Sequence, residues 1–271
     1  MPLFNFSFTP LTEIPLRGKP KASQRQLERY GFSHGTCSID AGQSRLFQYS
    51  PQFLAHADFI CPQYGIEGDC VNHSIIRLYE DVIELLPDIL QSIPIEAYLL
   101  ISSLEKQRAW TERLQHLFEI AETPELEDLH HEAIGWFHRR KLSKSPVKGD
   151  TNVWFWRFDD QVFIRWDNKA SQGDGMPQWT ATEGEYSMPT KIFLAEVESF
   201  HFRLMKGMSE RIQEMRDRNP IPNVNINIDT LIEQHTERKQ SLARALAVQP
   251  TKVDWARILA ANEQLSKLRL D

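Results

Sequence analysis

The sequence predicts an α+β protein in which small antiparallel sheets pack against long amphipathic helices. Residues 153–158 and 161–166 are rich in aromatic and β-branched residues and flank a two-residue acidic turn, which is typical of a β-hairpin. The segment after Pro189 repeats apolar residues at spacings of three or four over about seven turns, as an amphipathic helix does. Residues 219–271 carry further helical patterns, so we expect a C-terminal helical hairpin beside this α+β layer.

The N-terminal part is expected to begin with strands. Phe4, Phe6 and Phe8 alternate with polar residues, which is the period of a half-buried strand. Glycines punctuate residues 30–49 around two short apolar runs, and this pattern predicts a second, short strand pair.

Helices are predicted to follow these strands. Ser74 is placed to cap a helix whose apolar residues recur as far as Leu86, and Pro87 is expected to end or kink it. Two more helices are predicted near residues 104–120 and 126–142, the second after a Thr-Pro-Glu start signal.

The middle of the chain is expected to form a covered sheet. Both faces of the hairpin carry aromatic residues, so at least one strand is predicted to be buried on both sides. A third strand is predicted at residues 179–181. Three of four tryptophans are expected in the core, the four being Trp154, Trp156, Trp166 and Trp179. The helix after Pro189 should pack on this sheet through an apolar stripe formed by Phe193, Val197, Phe200, Leu204, Met208, Ile212 and Met215.

The C-terminal hairpin is predicted from two helices, at residues 229–247 and 251–268, with Asp229 and Thr251 as caps. It would dock on the core or on another subunit.

Two breaks, a basic polar stretch and an Asn-Pro-Ile-Pro run, divide the chain into regions 1–145, 146–218 and 219–271. We expect the first two regions to form one continuous domain.

Composition and charge argue against several classes of function. A net charge of −6 and a pI near 5.9 give the chain no electrostatic reason to bind nucleic acid, but they suit a basic protein partner. No apolar run approaches the roughly 20 residues of a transmembrane helix, and the N-terminus lacks a secretion signal. Three cysteines form an odd set that argues against a disulfide framework. We therefore expect a cytoplasmic protein with no membrane partner and no cofactor.

One group of residues has partial metal-ligand spacing. Cys70 and His73 are separated by two residues, a gap with which one turn can present two donors to zinc. The opposite pair, His56 and Cys61, has four residues between its members, so no familiar zinc motif is complete. We predict no metal site. These four residues are the weak candidates for metal ligands. The alternative is a loop of buried thiols and surface histidines.

Other catalytic patterns are also incomplete. One predicted helix carries His130, His131 and His138. Gly135 stands where a zinc-protease motif requires its second histidine. Two of these histidines share a helix face, which is either a pH-sensitive or binding face or simply a solvated one. Cys37, near His34, is either a nucleophile or a small buried apolar residue.

Acidic residues near the hairpin also have two interpretations. A hydrolase needs two carboxylates in different environments, and the local candidates are Asp159, Asp160, Asp167, Asp174 and Glu185. Turn formation explains Asp159 and Asp160, and the polar end of a strand explains Asp167. We therefore predict no catalytic residue.

A recognition surface is predicted around the hairpin instead. Arginine is enriched in interface hot spots, because its planar guanidinium buries much area with few moving parts. We expect Arg157, Arg165 and the loop 168–178 to be exposed there. The predicted partner-binding set is Arg157, Asp159, Asp160, Arg165, Asp167 and Asp174.

Several segments resemble a known family. They are Arg165-Trp166-Asp167, Trp179-Thr180-Ala181, residues 193–200, Leu204-Met205 and, upstream, residues 30–35, 42–49 and 77–81. On these residues the chain resembles a bacterial family catalogued as a domain of unknown function, the group numbered 5984, over roughly residues 1–215. The tail after Asn219 and the loop 61–70 are expected to depart from it. No reaction is assigned to that family, so the resemblance implies no catalytic residue.

These inferences favour a protein-binding module over an enzyme. An acidic chain without a complete catalytic set fits a bacterial immunity protein, which binds a basic cognate toxin and neutralises it by occlusion. Two alternatives stay open. One is a hydrolase-like enzyme built around Arg165, Asp167 and the neighbouring loop, and the other is a homo-oligomeric scaffold that uses the helical tail.

Overall fold

The described part of the chain folds into two antiparallel sheets packed against helices. A computed structural model describes residues 1–14, 31–60, 68–119, 123–142, 151–169, 177–221, 227–248 and 253–268. Every strand pair in these ranges is antiparallel, and helices contribute most of the regular structure. The predicted α+β class is confirmed.

The first sheet is built around one long strand, β2 (His34–Ala41). This strand pairs with β1 (Phe4–Phe8), with β3 (Ser44–Leu46) and with β4 (Asn72–Ser74). The predicted N-terminal strand and the strand pair after it are thus confirmed. At Gly35 a Cβ would lie 2.1 Å from a main-chain oxygen of β1, so glycine is required for this close approach.

The second sheet contains the predicted hairpin. Strand β5 (Val153–Phe158) pairs with β6 (Gln161–Asp167), which pairs in turn with β7 (Glu183–Pro189). Asp159, in the two-residue turn, has a φ of 52°, a left-handed conformation that aspartate tolerates better than most residues.

The position predicted for the third strand is wrong. Trp179 forms an isolated bridge with Tyr49, and their rings stack with centroids 5.0 Å apart, so this segment is tied to the part of the chain that follows the first sheet. The third strand is β7, an edge strand of sequence EGEYSMP with one fully buried residue, Met188. Its mainly polar sequence lacks the apolar alternation that would predict a strand.

The two hairpin strands of the second sheet have buried residues on both faces, as predicted for at least one of them. Phe155 and Ile164 face the larger hydrophobic cluster of the protein, whereas Trp154 and Trp156 face a smaller one. Alternate residues of a strand point to opposite faces, so this hairpin belongs to both clusters. All four tryptophans considered above are buried, against the three expected.

Helices connect and cover the two sheets. In chain order they are α1 (Pro51–Ile60), α2 (Ile75–Leu90), α3 (Ile95–Leu100), α4 (Leu104–Glu119), α5 (Pro124–His138), α6 (Thr190–Arg218), α7 (Ile228–Lys239), α8 (Ser241–Ala247) and α9 (Trp255–Lys267). None of them, within the residues described, combines the length and the apolar character that crossing a bilayer requires.

Helix α2 continues beyond its predicted end. Pro87 lies inside the helix, which stops only after Leu90. Proline removes one main-chain hydrogen bond, but Leu86 and Ile89 on either side of it are buried. The packing of these neighbours therefore keeps the last turn helical.

The predicted helix caps are only partly observed. Thr123 caps α5, because its side chain accepts from the main-chain N–H of Leu126. Ser74 stands at the start of α2 without capping it, and its hydroxyl lies 2.8 Å from that of Ser33. The Ser74 side chain thus joins two segments of the first sheet region instead.

The long helix α6 packs as predicted. Every residue of its apolar stripe is buried, and the helix lies against β1, β6, β7 and α2. Phe200 stacks on Phe4 with ring centroids 5.1 Å apart. The stripe therefore binds the N-terminal strand and the second sheet to one core.

The C-terminal segment is helical, as predicted, but its parts pack on different elements. Helix α7 lies on α6, α8 on α2 and α9 on α5. The pair α7–α8 and the helix α9 therefore contact separate parts of the core more than they contact each other. The first predicted helix is divided at Gln240. Its cap is Asn227, not Asp229, and α9 is capped by Asp254. Thr251 lies outside the described residues.

Two glycines inside helices test the packing of α6 on β1. A Cβ at Gly135 of α5 would meet only the Arg139 guanidinium, at 3.8 Å, whereas one at Gly207 of α6 would lie 2.5 Å from the Phe8 ring. We expect Gly135→Ala to raise the free energy of unfolding by roughly 0.5–1 kcal/mol, the usual cost of glycine in a helix. Gly207→Ala should lower it, because Phe8 must be displaced. Denaturant unfolding followed by circular dichroism checks both, and equal gains would contradict the close approach.

His235 of α7 makes the attachment of this helix depend on pH. The ring is buried, and its Nε2 lies 2.8 Å from the Ser209 hydroxyl of α6. Burial, followed by repulsion from Lys239 and Arg238, lowers the pKa of His235 to about 4. An unfolded histidine titrates near 6.5, so the unfolded chain binds more protons than the folded one between about pH 6.5 and 4. The contribution of the neutral ring is therefore complete above this window and is lost as the pH falls through it.

We expect His235→Gln to weaken the acid-induced loss of stability, by at most about 1.4 kcal/mol per pH unit within this window. The free energy of unfolding, measured with denaturant at several pH values, checks this. His56→Gln, a change of an exposed histidine on α1, serves as the control and should retain the pH dependence of the wild type. Equal slopes for His235→Gln and the wild type would contradict the assignment.

Candidate functional site

A network of ion pairs joins α4 to the second sheet. Arg108 of α4 donates from Nε and Nη2 to the two carboxylate oxygens of Asp167, at 2.7 and 2.6 Å. The same Nη2 donates to Glu183 at 2.8 Å, and Lys169 contacts the other oxygen of Glu183 at 2.5 Å. The hydrogen bonds from Lys169 and Arg108 lower the pKa of Glu183, and the bond to Asp167 raises the pKa of Arg108. Glu183 and Arg108 therefore stay charged, and the network holds α4 to the end of β6.

This pairing makes Asp167 unsuited to the catalytic role considered for it. Both of its carboxylate oxygens are held by one guanidinium, and its side chain is mostly buried. A general base must reach the proton that it removes from a substrate. Asp167 instead fastens the end of β6 to α4.

Arg165 is buried, which contradicts its predicted place on an exposed surface. Its residue is 1% exposed, and its Nη1 donates to the main-chain oxygen of Ile101 at 2.6 Å and to Gln107 at 2.9 Å. Its Nε donates to Glu185 at 2.9 Å, and the guanidinium lies 4.7 Å from the centre of the Trp156 ring. Burial lowers the pKa of Arg165, while Glu185 opposes this change. The physical reason is that Arg165 points to the sheet face that α4 covers.

The opposite end of the hairpin carries an exposed surface. We define the tip surface as Ile95, Leu99, Phe158, Asp159 and Asp160. It forms where α3 packs beside the end of β5, since Tyr98 of α3 stacks on Phe158 with centroids 4.2 Å apart and planes 5° from parallel. A main-chain hydrogen bond of 2.9 Å from residue 93 to residue 157 closes the junction.

The tip surface combines apolar and acidic side chains. Ile95 and Leu99 are 48% and 52% exposed, and a spacing of four places them on one face of α3. Asp159 and Asp160 are exposed in the turn, and Glu96 is exposed on α3 itself. Apolar area bordered by carboxylates is therefore presented to solvent here.

The structure divides the predicted partner-binding set. Arg157, half-buried, lies with Asp159 and Asp160 at the tip. Asp167 and Arg165 lie at the far end of β6, and seven residues of strand separate Asp160 from Asp167 by about 23 Å. Asp174, together with residues 170–176 of the predicted recognition loop, lies outside the described residues. Only the turn residues thus retain the exposed position expected of them.

The metal candidates are not assembled into a site within the described residues. His56 is exposed on α1, where its Nδ1 lies 2.9 Å from the main-chain oxygen of Gln52. Cys70 is buried, and His73 lies in β4 opposite Gly35. Cys61 lies outside the described residues. No group of three or more histidine, cysteine or acidic residues with metal-binding geometry occurs in the described ranges.

Of the remaining candidates from the sequence, Cys37 and His130 are packing residues. Cys37 is buried, and burial together with the neighbouring Cys70 raises its pKa to about 12, so the thiol stays protonated at neutral pH. Its interpretation as a small apolar residue is confirmed. His130 is buried against the Phe118 ring, with centroids 4.8 Å apart, and burial lowers its pKa. The predicted exposed face of His131 and His138 is observed.

A second site was not predicted, and it is a cleft between α2, α7 and α8. At its floor the Tyr79 hydroxyl lies 2.6 Å from His201 Nδ1 and 2.6 Å from Ser241 Oγ. Ser241 donates to the main-chain oxygen of Arg238 at 2.7 Å. Because that uses the only proton of Ser241, Tyr79 donates to Ser241 and accepts from Nδ1–H of His201. Tyr79 is more than a hundred residues from both His201 and Ser241 in the sequence, so no local motif could predict this row.

The chemistry of this row favours binding over catalysis. Burial raises the pKa of Tyr79 to about 12 and lowers the pKa of His201. At neutral pH the phenol is protonated and the imidazole is neutral. A serine nucleophile requires an adjacent base, and the hydroxyl of Tyr79 donates a proton to Ser241 instead of accepting one.

A comparison with family models identifies the family of the chain. A model described as a family of unknown function (DUF5984) matches residues 3–261. The chain belongs to this family. The resemblance seen in the sequence is confirmed, and the match extends beyond residue 215 to include most of the helical tail, which was expected to depart from the family. No curated protein and no solved structure matches the chain. Membership of DUF5984 assigns no reaction, so the function must be argued from geometry.

Because Arg165 is buried and Arg157 is only half-buried, we expect the same substitution at the two positions to change stability by different amounts. We expect Arg165→Lys to lower the free energy of unfolding by roughly 2–4 kcal/mol, because lysine cannot satisfy the acceptors that the buried guanidinium reaches. Arg157→Lys, on a half-buried neighbour, should change it by less than about 0.5 kcal/mol. Denaturant unfolding of both variants checks this. Equal stability of Arg165→Lys and the wild type would show that the buried network contributes nothing.

Proposed function

We propose that this protein is a protein-binding module, specifically a bacterial immunity protein that binds a basic cognate toxin in the cytoplasm and occludes its active site. The observation that carries this proposal is the tip surface, where exposed apolar side chains lie beside exposed carboxylates. Membership of a family without an assigned reaction is compatible with it.

The composition of the tip surface supports binding of a basic protein. Burial of a leucine or isoleucine side chain contributes roughly 1.5–3 kcal/mol. Ile95 and Leu99 are exposed, so their burial against a partner would add to the affinity of the complex. The carboxylates of Glu96, Asp159 and Asp160 would attract a positively charged partner and accelerate its association. The expected partner surface is therefore basic, with an apolar pocket for the exposed side chains of α3.

The rigidity of the tip surface also supports this role. The stacking of Tyr98 on Phe158 and the main-chain hydrogen bond to residue 157 attach α3 to the sheet. A surface that is already ordered loses little conformational entropy when it binds. Occlusion of an active site requires such a fixed shape.

The hydrolase and the homo-oligomeric scaffold are less well supported, because the residues that each would use have other contacts. For the hydrolase, Asp167 is held by Arg108 and Arg165 is buried. For the scaffold, the tail uses apolar positions such as Ile258 and Leu265 on the chain's own smaller cluster. These residues are therefore already committed within the molecule.

Substitution of Leu99 tests the proposed interface. Immobilised wild-type protein is used to capture partners from its native cytoplasm, and a captured basic protein is then expressed alone and together with this chain. We expect co-expression to suppress its toxicity. Leu99→Glu should weaken the purified complex by at least about 30-fold, since a charge in the apolar contact costs about 2 kcal/mol or more.

The matched control is Phe202→Glu. Phe202 is an exposed apolar residue, 67% accessible, far along α6 from the tip, and its replacement should leave the affinity unchanged within about twofold. Asp160→Lys should slow association, more strongly at low salt. Failure of co-expression to protect cells would refute the immunity function, and equal losses for Leu99→Glu and Phe202→Glu would remove the tip surface from the interface.

A further inference from the structure

Strand β7 ends the second sheet with main-chain groups that point outward. It pairs with β6 on one side, and no strand pairs with its other side in the described part of the chain. At the start of β7, Asn168 N–H donates to the main-chain oxygen of Thr182 at 2.6 Å. Bonded residues alternate along an antiparallel pair, so the main-chain groups that turn away from β6 belong to Glu183, Glu185 and Ser187. We call these groups the β7 edge.

The β7 edge is open, whereas the opposite edge of the same sheet is closed. On the outer side of β5, Ile93 N–H donates to the main-chain oxygen of Arg157 at 2.9 Å, and residues 140–142 exchange two further main-chain hydrogen bonds with this strand. No hydrogen bond from another described segment reaches the outward groups of β7, and Glu185 and Ser187 are exposed there. Unpaired main-chain groups of an edge strand are a template for another strand.

Glu185 gives the β7 edge a carboxylate that is only partly used. Arg165 donates from Nε and Nη2 to the same oxygen, Oε2, and the Glu185 side chain is 36% exposed. No donor among the described residues binds its Oε1. Opposite charges on directly opposed residues stabilise a strand pair. An incoming strand is therefore favoured when it places a lysine or arginine opposite Glu185.

The positions on either side of Glu185 favour uncharged residues. Both carboxylate oxygens of Glu183 are already bound, one by Arg108 and the other by Lys169. Ser187 lies opposite the half-buried Phe163 in the register of β6 and β7. β-Branched residues suit such half-covered strand positions. The segment that fits has one basic residue with a β-branched residue two positions before it and another two positions after it.

A second copy of this chain fits the β7 edge less well. An antiparallel pairing of two β7 edges that uses all three residues of each copy places Glu185 opposite Glu185. Like charges directly opposite each other destabilise a strand pair. Pro189, at the end of β7, has no N–H with which to extend the pairing. The register and the charge thus favour a segment of another protein.

We propose that the β7 edge binds an extended segment of another protein as an antiparallel fourth strand of the second sheet. The segment carries a lysine or arginine opposite Glu185. Main-chain hydrogen bonds to Glu183, Glu185 and Ser187 provide affinity, and the side chains provide selection. This binding goes beyond the proposed immunity function, because it requires neither a toxin nor the residues of the tip surface.

Three capped heptapeptides test the proposal on the full-length protein. TVTKTVT places a lysine opposite Glu185, and TVTETVT places a glutamate there. The third is TVTKTVT with its lysine main-chain nitrogen methylated, which removes the central N–H that points to β7. At saturation the lysine peptide should slow amide hydrogen exchange at Glu185 and Ser187, measured by NMR, by at least about tenfold. It should bind at least about fivefold more tightly than the glutamate peptide, and the methylated peptide should give no protection.

Two results with the peptides overturn the proposal. If the lysine peptide leaves the exchange of these amides unchanged, the edge does not accept a strand. If the lysine and glutamate peptides bind equally, the charge selection at Glu185 is wrong. Protection by the methylated peptide equal to that by its parent would show attraction without main-chain pairing, and this also overturns strand addition.

Two substitutions of Ser187 separate main-chain pairing from side-chain contact. Ser187→Pro removes an N–H that β6 does not use and should weaken binding of the lysine peptide by at least about tenfold. Ser187→Ala keeps this N–H and should bind within about twofold of the wild type. Circular dichroism verifies the fold of both variants, and if Ser187→Pro does not fold, the methylated peptide decides the same point. Equal affinities of two folded variants overturn strand addition. A wild-type dimer in sedimentation equilibrium that Ser187→Pro abolishes would overturn the choice of partner in favour of a second copy.

Discussion

The aromatic hairpin of the second sheet depends on helices that cover both of its faces. Strands β5 and β6 carry apolar and aromatic residues on both faces, so α2 and α6 pack on one side while α4 and α5 pack on the other, and α9 in turn packs on α5. Arg165 is the polar member of the second face, and its guanidinium is stabilised by the Trp156 ring, by Gln107 and by Glu185. The same requirement explains why the tail docks in two parts: α8 belongs to one cluster and α9 to the other.

Both candidate sites arise where this covering is incomplete. Helix α3 is only six residues long, so Tyr98 covers the end of the hairpin while Ile95 and Leu99 remain in solvent. The cleft between α2, α7 and α8 lies where the tail helix is interrupted at Gln240, and Ser241 at the start of α8 contacts Tyr79. In each case a short or interrupted helix leaves polar and apolar groups side by side. Such places are suited to binding, since the surrounding core holds them in position.

Local periodicity was sufficient for the long elements and insufficient for the short ones. The stripe of α6 and the alternation of β5 and β6 are visible because burial on a regular element selects apolar residues at a fixed period. Helix α3 is too short to show a period, and β7 is an edge strand whose residues face solvent. The exposed turn at Asp159 and Asp160 was predictable because turns favour aspartate. The burial of Arg165 was not, since it depends on α4, about 60 residues earlier in the chain.

By itself, the sequence determined the α+β class, the aromatic hairpin, the amphipathic α6 and the family to which the chain belongs. Each of these depends on residues close together in the chain or on a long match with related sequences. Only the tertiary structure decided which face of each strand is covered, that Asp167 is an ion-pair partner of Arg108, and that Tyr79, His201 and Ser241 meet in one row. These are contacts between distant segments, and their energies depend on burial and geometry that no local pattern of residues specifies.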